Sequence, residues 1–413
     1  MAGCSLSYAV DAVSSDTFAL NPSLSLSEEY TDNVFETETA KRTDFITRIM
    51  PGLAFATRAP FWDWDVAYNF DYRYYAKNSR TDDTTHNLLG SGQIRLIENF
   101  FLIDLNDTYS RVSLNIGRDK TQESLFLNQS DSNNFSVSPF ILLHPGSKIT
   151  TKTGYRYINV WFKDPTGIDR RDHVGFMDAT YALTPQLGLT ANYVYTHENS
   201  VNSYDRHEPS AGFKYEYRDK SFFSGQGGYT WFRSLNGVAT NNPFWNVELT
   251  HGFSLFSVTL ATGIHYPVDP QSGVTRETDY SFALNKALQR GNVGINAAYA
   301  HFSGETVDIK NRLSGGFSAQ YNLTTNLHGS LAFSVERYDH AASQSTTTRY
   351  YVNPNLTYLL PKDISLALNY TFVDSSSPSL QLDNFRVNRV MLEVKKSFGR
   401  VLESTQTTDK GPL

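Results

Sequence analysis

Trp62-Asp63-Trp64-Asp65-Val66-Ala67-Tyr68-Asn69-Phe70-Asp71-Tyr72-Arg73-Tyr74 is the stretch that decides the fold. Its aromatic residues and Val66 fall on even positions, while Asp63, Asp65, Asn69, Asp71 and Arg73 fall on odd ones. A period of two belongs to an extended strand, whose side chains alternate between two faces; a helix would scatter these residues around its axis. Strands of soluble proteins usually run about 5–6 residues, and this one is far longer. A long aromatic face backed by a charged face fits a sheet with lipid on one side and water on the other.

The alternation recurs outward from this stretch. Phe101, Ile103, Leu105 and Tyr109 face away from Asp104, Asn106 and Ser110, and Ala211, Phe213, Tyr215 and Tyr217 face away from Lys214, Glu216 and Arg218. Further copies occupy 187–195, 313–321, 350–360 and 364–372. Short polar or Pro/Gly turns are expected at 58–60, 98–99, 144–147, 184–186, 219–220, 289–292, 322–326 and 361–363. Between them lie longer polar segments near 31–42, 75–86, 112–132, 163–172, 198–207, 233–243, 267–277, 303–311, 338–348 and 374–386.

Short and long connections that alternate are those of a membrane barrel with tight periplasmic turns and long extracellular loops. The fold class is therefore all-β: a transmembrane antiparallel β-barrel of about twenty strands, with eighteen as the alternative because 244–251 and 278–288 are weakly patterned. A β-propeller also repeats at about 40 residues, but its short strands and its Gly-His and Trp-Asp signatures are missing. The expected organisation is 1–17 as signal remnant or periplasmic segment, 18–398 as barrel and 399–413 as polar tail.

Composition agrees with a barrel. The chain has 27 Phe, 25 Tyr and 5 Trp but no apolar run of the ~20 residues that a membrane helix needs. Its mean hydropathy of −0.40 follows from alternation, because polar and apolar positions cancel. A net charge of −6 without a basic run excludes nucleic acid as a partner class. One cysteine excludes an internal disulfide framework. Met1-Ala2-Gly3-Cys4 looks like the end of a lipoprotein cleavage site, or the tail of an ordinary secretory signal cleaved between Ser5 and Ala12, so lipidation of Cys4 stays open. In the last strand Val390, Leu392, Val394 and Phe398 oppose Arg389, Glu393 and Lys395, as closure of the barrel requires.

Pro22-Ser23-Leu24-Ser25-Leu26-Ser27-Glu28-Glu29-Tyr30-Thr31-Asp32-Asn33-Val34-Phe35 resembles the opening strand and loop of a family of outer-membrane β-barrel porins (porin type 2-like). Members of that family accompany exopolysaccharide synthesis and export systems. The resemblance rests on Pro-x-Leu-x-x-x-Glu-x-Tyr-x-Asp-Asn; beyond it the likeness is one of barrel texture. It implies an outer-membrane conduit and brings no catalytic residues.

Candidate pore-lining residues follow from the charged faces: Asp63, Asp65, Asp71, Arg73, Asp104, Lys152, Arg156, Lys214, Glu216 and Arg218. Their mixed signs argue against strong ion selectivity, and plain solvation of a wide lumen is the simpler role. Phe140, Phe222 and Phe232 fall opposite their strands' apolar stripes, as sugar-stacking aromatics or as packing for an inturned loop. No nucleophile triad, paired-His metal motif or phosphate-binding loop emerges, so neither catalysis nor a cofactor is expected. His197-Glu198 beside His207-Glu208 could clamp a metal if their loop folds back, the plainer reading being exposed polar residues. Loop acids could also bridge lipopolysaccharide through calcium.

The expectation is an outer-membrane channel, both termini periplasmic, that exports an exopolysaccharide with periplasmic polysaccharide-export proteins. Its surroundings would be outer-membrane lipid and lipopolysaccharide. Alternatives are a general diffusion porin and a scaffold barrel for a surface or electron-transfer complex; with no Cys-x-x-Cys-His, any haem would belong to a partner.

Overall fold

The computed structural model describes residues 17–114, 129–201, 203–234, 239–271, 273–304, 309–341, 343–380 and 384–403. Cys4, the expected cleavage region and the end of the tail from 404 lie outside the described residues.

One antiparallel sheet closes on itself. Its first ten strands are β1 (Thr17–Thr31), β2 (Asp44–Arg58), β3 (Trp62–Tyr75), β4 (Asp83–Ile97), β5 (Phe101–Ser113), β6 (Gln129–Leu143), β7 (Ile149–Phe162), β8 (Arg170–Ala182), β9 (Leu187–Asn199) and β10 (Tyr204–Arg218). The wall continues through β11 (Ser221–Ser234), β12 (Ala239–Gly252) and β13 (Ser257–His265). A two-residue hairpin, β14 (Val268–Asp269) with β15 (Gly273–Val274), stands apart from the wall within a loop. The wall then resumes with β16 (Arg276–Leu288), β17 (Gly291–Ser303), β18 (Ile309–Asn322), β19 (Leu327–His340), β20 (Thr346–Leu360), β21 (Ile364–Ser376) and β22 (Phe385–Ser397). Finally β23 (Arg400–Glu403) carries the line of β22 onward. The closed wall has twenty staves, and the weakly patterned 244–251 and 278–288 are both strands within it.

The seam joins the first stave to the last: Ser23–Thr31 pair with Arg389–Ser397, and Thr17–Leu20 pair with Arg400–Glu403. Four residues of the expected tail thus belong to the sheet. The Asp32-Asn33 pair of the opening stretch fastens this seam. Asn33, fully buried, donates from Nδ2 to the carbonyls of Arg386 (3.0 Å) and Thr37 (2.7 Å), and its Oδ1 accepts from the Thr37 amide. Asp32 accepts from the Asn388 amide (2.7 Å) and side chain (2.6 Å). Asn33→Ala removes three part-buried bonds at the seam, at a cost of about 1–3 kcal/mol. The expected outcome is a lower temperature for loss of the compact, heat-modifiable band in gel electrophoresis.

Long apolar side chains remain exposed on one face of most staves, as with Trp62, Tyr68 and Tyr74 on β3, Leu331 and Phe333 on β19, and Leu366 and Leu368 on β21. In a closed sheet the apolar exposed set faces outward, toward lipid, and the alternate polar set lines the lumen. Strand spacing of ~4.8 Å and a tilt near 40° give twenty staves a backbone radius of roughly 20 Å, too wide for side chains alone to fill.

Connections at the end where β1 starts and β23 finishes are two to five residues long, and several turn through left-handed residues: Asn99, Lys220, Lys362 and Asp363 all have positive φ. One of these turns escapes the sequence reading. Phe253-Ser254-Leu255-Phe256 joins β12 to β13 without Pro or Gly, closed by the Phe253 amide donating to the Phe256 carbonyl and by stacking of the two rings at 4.6 Å. The loops at the other end are shorter than the sequence suggests, because strands run on into their polar flanks, as at Asp83–His86 and Tyr204–His207.

Candidate functional site: the inner wall

Inner-wall ion pairs differ sharply between the two ends. Near the short turns they are open to solvent: Arg58–Asp65 (2.7 Å) has side chains 42% and 54% exposed, and Lys214–Glu216 (2.7 Å) has 53% and 57%. Arg95–Asp63 (2.6 Å) and Lys152–Asp104 (3.4 Å) are about a quarter to a third exposed.

Toward the long loops the same kind of pairing is buried. Arg48 grips Asp71 through Nε (3.2 Å) and Nη2 (2.7 Å) and reaches Glu29 at 3.6 Å; Arg73 bonds Asp71 as well. Arg389 closes the circle across the seam, to Glu29 at 3.9 Å and Glu36 at 2.6 Å. Arg170–Asp172 (3.5 Å), Arg206–Glu208 (3.1 Å) and Glu277–Arg312 (3.8 Å) continue this buried ionic set on the opposite side. Apolar clusters lie at the same end, including Phe302 with Tyr338 and Ile309, and Val373 with Phe385 and Val387. The lumen thus narrows from a solvated vestibule to a packed loop side.

Two loops meet over that packed side. The Ile168 amide, between β7 and β8, donates to the Pro270 carbonyl, between β13 and β16, at 2.7 Å; Gln271 Nε2 donates to Thr166 Oγ1 at 3.2 Å. Arg206 of β10 donates to the Tyr266 carbonyl at 3.4 Å, so the 266–275 loop leans across the staves between. Burial pushes the Tyr266 phenol up, and the Thr166 hydroxyl and amide hold the Asp164 carboxyl below the usual carboxylate range.

The structure places nine of the ten charged candidates on this wall and pairs most of them: Asp63, Asp65, Asp71, Arg73, Asp104, Lys152, Lys214 and Glu216 all make ion pairs, while Arg156 lies 5.3 Å over the Phe176 ring. Arg218 follows a register shift after Glu216 and stands exposed at the short-turn rim. Their partners Arg48, Arg58 and Arg95 are absent from the sequence candidates, because cross-strand pairing depends on register.

Phe140, Phe222 and Phe232 also face inward, and each has a ring neighbour. Lys152 Nζ sits 3.8 Å from the Phe140 ring centre, Lys214 Nζ 4.9 Å from that of Phe222, and Tyr204 packs on Phe232 at 4.7 Å. Phe140 is buried with Leu102 and Phe176. Gly154 makes that packing possible: a Cβ there would lie 2.5 Å from the Pro139 carbonyl oxygen and 2.6 Å from the Phe140 Cβ. Gly154→Ala is expected to cost about 1–3 kcal/mol through overpacking, read as a lower denaturant midpoint.

A metal clamp by His197-Glu198 and His207-Glu208 is overturned. These residues lie in β9 and β10, where neighbours point to opposite faces, so both histidines face outward and both glutamates inward. His197 Nδ1 meets Asp205 at 2.8 Å, which Tyr195 also reaches, and Tyr193 meets His207 Nδ1 at 2.8 Å. With Tyr68–His86 (2.8 Å) and Tyr155–His173 (2.6 Å) they form an outer Tyr–His girdle near the long loops. Sequence parity carries that signal, since each histidine sits in step with its strand's aromatic face. Among the described residues no group of three or more His, Cys, Asp or Glu is arranged to hold a metal.

No family model matches the chain, and no curated protein matches it in sequence. Among solved structures, the ferric enterobactin receptor PfeA of Pseudomonas aeruginosa aligns over 92% of this chain and 80% of its own at 10% identity, with a TM-score of 0.52. The FrpB iron transporter of Neisseria meningitidis aligns over 92% and 81% at 9% identity, with a TM-score of 0.50. Pseudomonas aeruginosa OprD aligns over 92% and 95% at 9% identity, with a TM-score of 0.40. At such identities the likeness is one of fold: the chain is a closed twenty-stave antiparallel β-barrel of the outer-membrane type.

Proposed function

We propose that the chain is an outer-membrane channel through which a secreted exopolysaccharide crosses, open to the periplasm at the short-turn end and held closed at the long-loop end. The observation that carries this reading is the gradient along the inner wall, from exposed pairs such as Lys214–Glu216 to buried ones such as Arg389–Glu36. An export conduit of this radius must shut toward the outside when idle, or periplasmic solutes would leak. The first and last described residues, Thr17 and Glu403, pair at the short-turn end, which this reading places in the periplasm, where polysaccharide-export proteins would feed the vestibule. The outer apolar band would meet lipid, and the Tyr–His girdle the lipopolysaccharide head groups. No chemical step and no cofactor enter this reading.

A general diffusion porin is the second reading, favoured by lumen charges that neutralise one another within the wall. Planar-bilayer recording of the refolded chain separates the two. Low conductance at rest, with block by polysaccharide of the brief openings, supports gated export. A large steady conductance indifferent to polymer supports the porin and overturns export.

A further inference from the structure

The inner wall is not uniform around its circumference. From β2 to β10 its turn-side half carries the pairs Arg58–Asp65, Arg95–Asp63, Lys152–Asp104 and Lys214–Glu216. From β16 to β21 the corresponding half carries no Asp, Glu, Lys or Arg among the described residues. Away from the rim its inward positions are Asn, Gln, Ser, Thr, Gly, Ala and Tyr351, and charge resumes only toward the loops.

The amides of this wall are held in place. Asn353 Nδ2 donates to Asn369 Oδ1 (3.0 Å) and Thr371 Oγ1 (2.9 Å), and Thr371 Oγ1 donates in turn to Asn369 Oδ1 (3.2 Å). Thr357 Oγ1 donates to Asn355 Oδ1 at 2.9 Å. Each Asn carries two N–H donors and two acceptor lone pairs, so each keeps capacity to bond a solute. Strands lie ~4.8 Å apart and same-face residues ~6.7 Å apart along each strand, which makes a grid of neutral donors and acceptors six staves wide.

We propose that this wall is the track followed by a neutral, hydroxyl-rich polymer, so that the carried saccharide is uncharged along its length. The inference rests on the channel reading and adds the substrate's charge class. Hydroxyl groups donate and accept, as the amide grid does, and the grid exchanges their water contacts for equivalent ones. An anionic polymer would instead need cations free to meet it. Away from the rim, where Arg218 stands exposed, the cations of the facing wall are engaged: Arg58, Arg95, Lys152 and Lys214 with carboxylates, and Arg156 with the Phe176 ring.

Calorimetric titration of the full-length barrel in detergent tests this, with a neutral glucan oligosaccharide and a uronic-acid oligomer of equal length as probes. The expected result is binding of the glucan and none of the uronate. The Asn353→Asp/Asn369→Asp variant is expected to weaken glucan binding by an order of magnitude while keeping its heat-modifiable gel mobility; if it fails to fold, Asn353→Ala/Asn369→Ala serves in its place. Uronate binding as tightly as glucan, no glucan binding, or undiminished glucan binding in the variant would each overturn the proposal. Conductance of the same preparation separates the two readings. A conducting barrel without glucan preference overturns the track and leaves the channel, whereas glucan binding without any conductance overturns the channel and leaves the track.

Discussion

Replacing residues 268–274 by two glycines is expected to raise single-channel conductance by an order of magnitude. The replacement removes Pro270 and Gln271, which bridge to Ile168 and Thr166 across the intervening staves. Both bonds lie outside the sheet, and the staves pair with one another without them, as β13 does with β12 and β16. Barrel stability and gel mobility should therefore stay as in the parent while the open-state current grows. An unchanged current in a folded variant would show that the buried side chains alone close the loop side.

Arg48→Met is expected to have the largest effect on stability. Arg48 is only 20% exposed and holds Asp71 by two bonds while facing Glu29 at 3.6 Å. Removing one member of a buried ion network strands the remaining charges, which costs about 3–5 kcal/mol. Arg73 still reaches Asp71 and Arg389 still faces Glu29, so the lower end of that range applies. Urea unfolding in lipid should show it as a lower midpoint. Adding Asp71→Asn to Arg48→Met should recover part of the loss, because neutralising the stranded acid removes part of what the first change costs. Equal stability of Arg48→Met and the parent would mean that lumen water solvates these groups as well as the arginine does.

The barrel was legible in the sequence because lipid on one face and water on the other force a period of two, and β3 shows it without interruption. Strand number followed from the polar loops, even though the Phe253–Phe256 turn lacks every usual turn residue and closes by ring stacking instead. Loop lengths were overestimated since polar strand ends such as Asp83–His86 stay in the sheet at the long-loop end without an apolar alternate face. Charges on the inner face were readable one strand at a time, but their partners were not. Asp63 finds Arg95 and Asp71 finds Arg48 only once register is set, 32 and 23 residues away. Inward Phe176 and Phe244 were missed because their strands mix small, polar and aromatic residues on both faces. The contact between the 163–169 and 266–275 loops has no sequence signature at all, being made by one backbone bond and one side-chain bond between segments about 100 residues apart.

The most direct test of a channel closed on its loop side is side-specific labelling of a single lumen cysteine, Asn353→Cys in a Cys4→Ser background, with a bulky membrane-impermeant maleimide. Reagent added outside intact cells should leave the cysteine unlabelled, and reagent admitted to the periplasm should label it. Labelling at equal rates from both sides would contradict closure, and labelling from outside alone would reverse the orientation of the barrel.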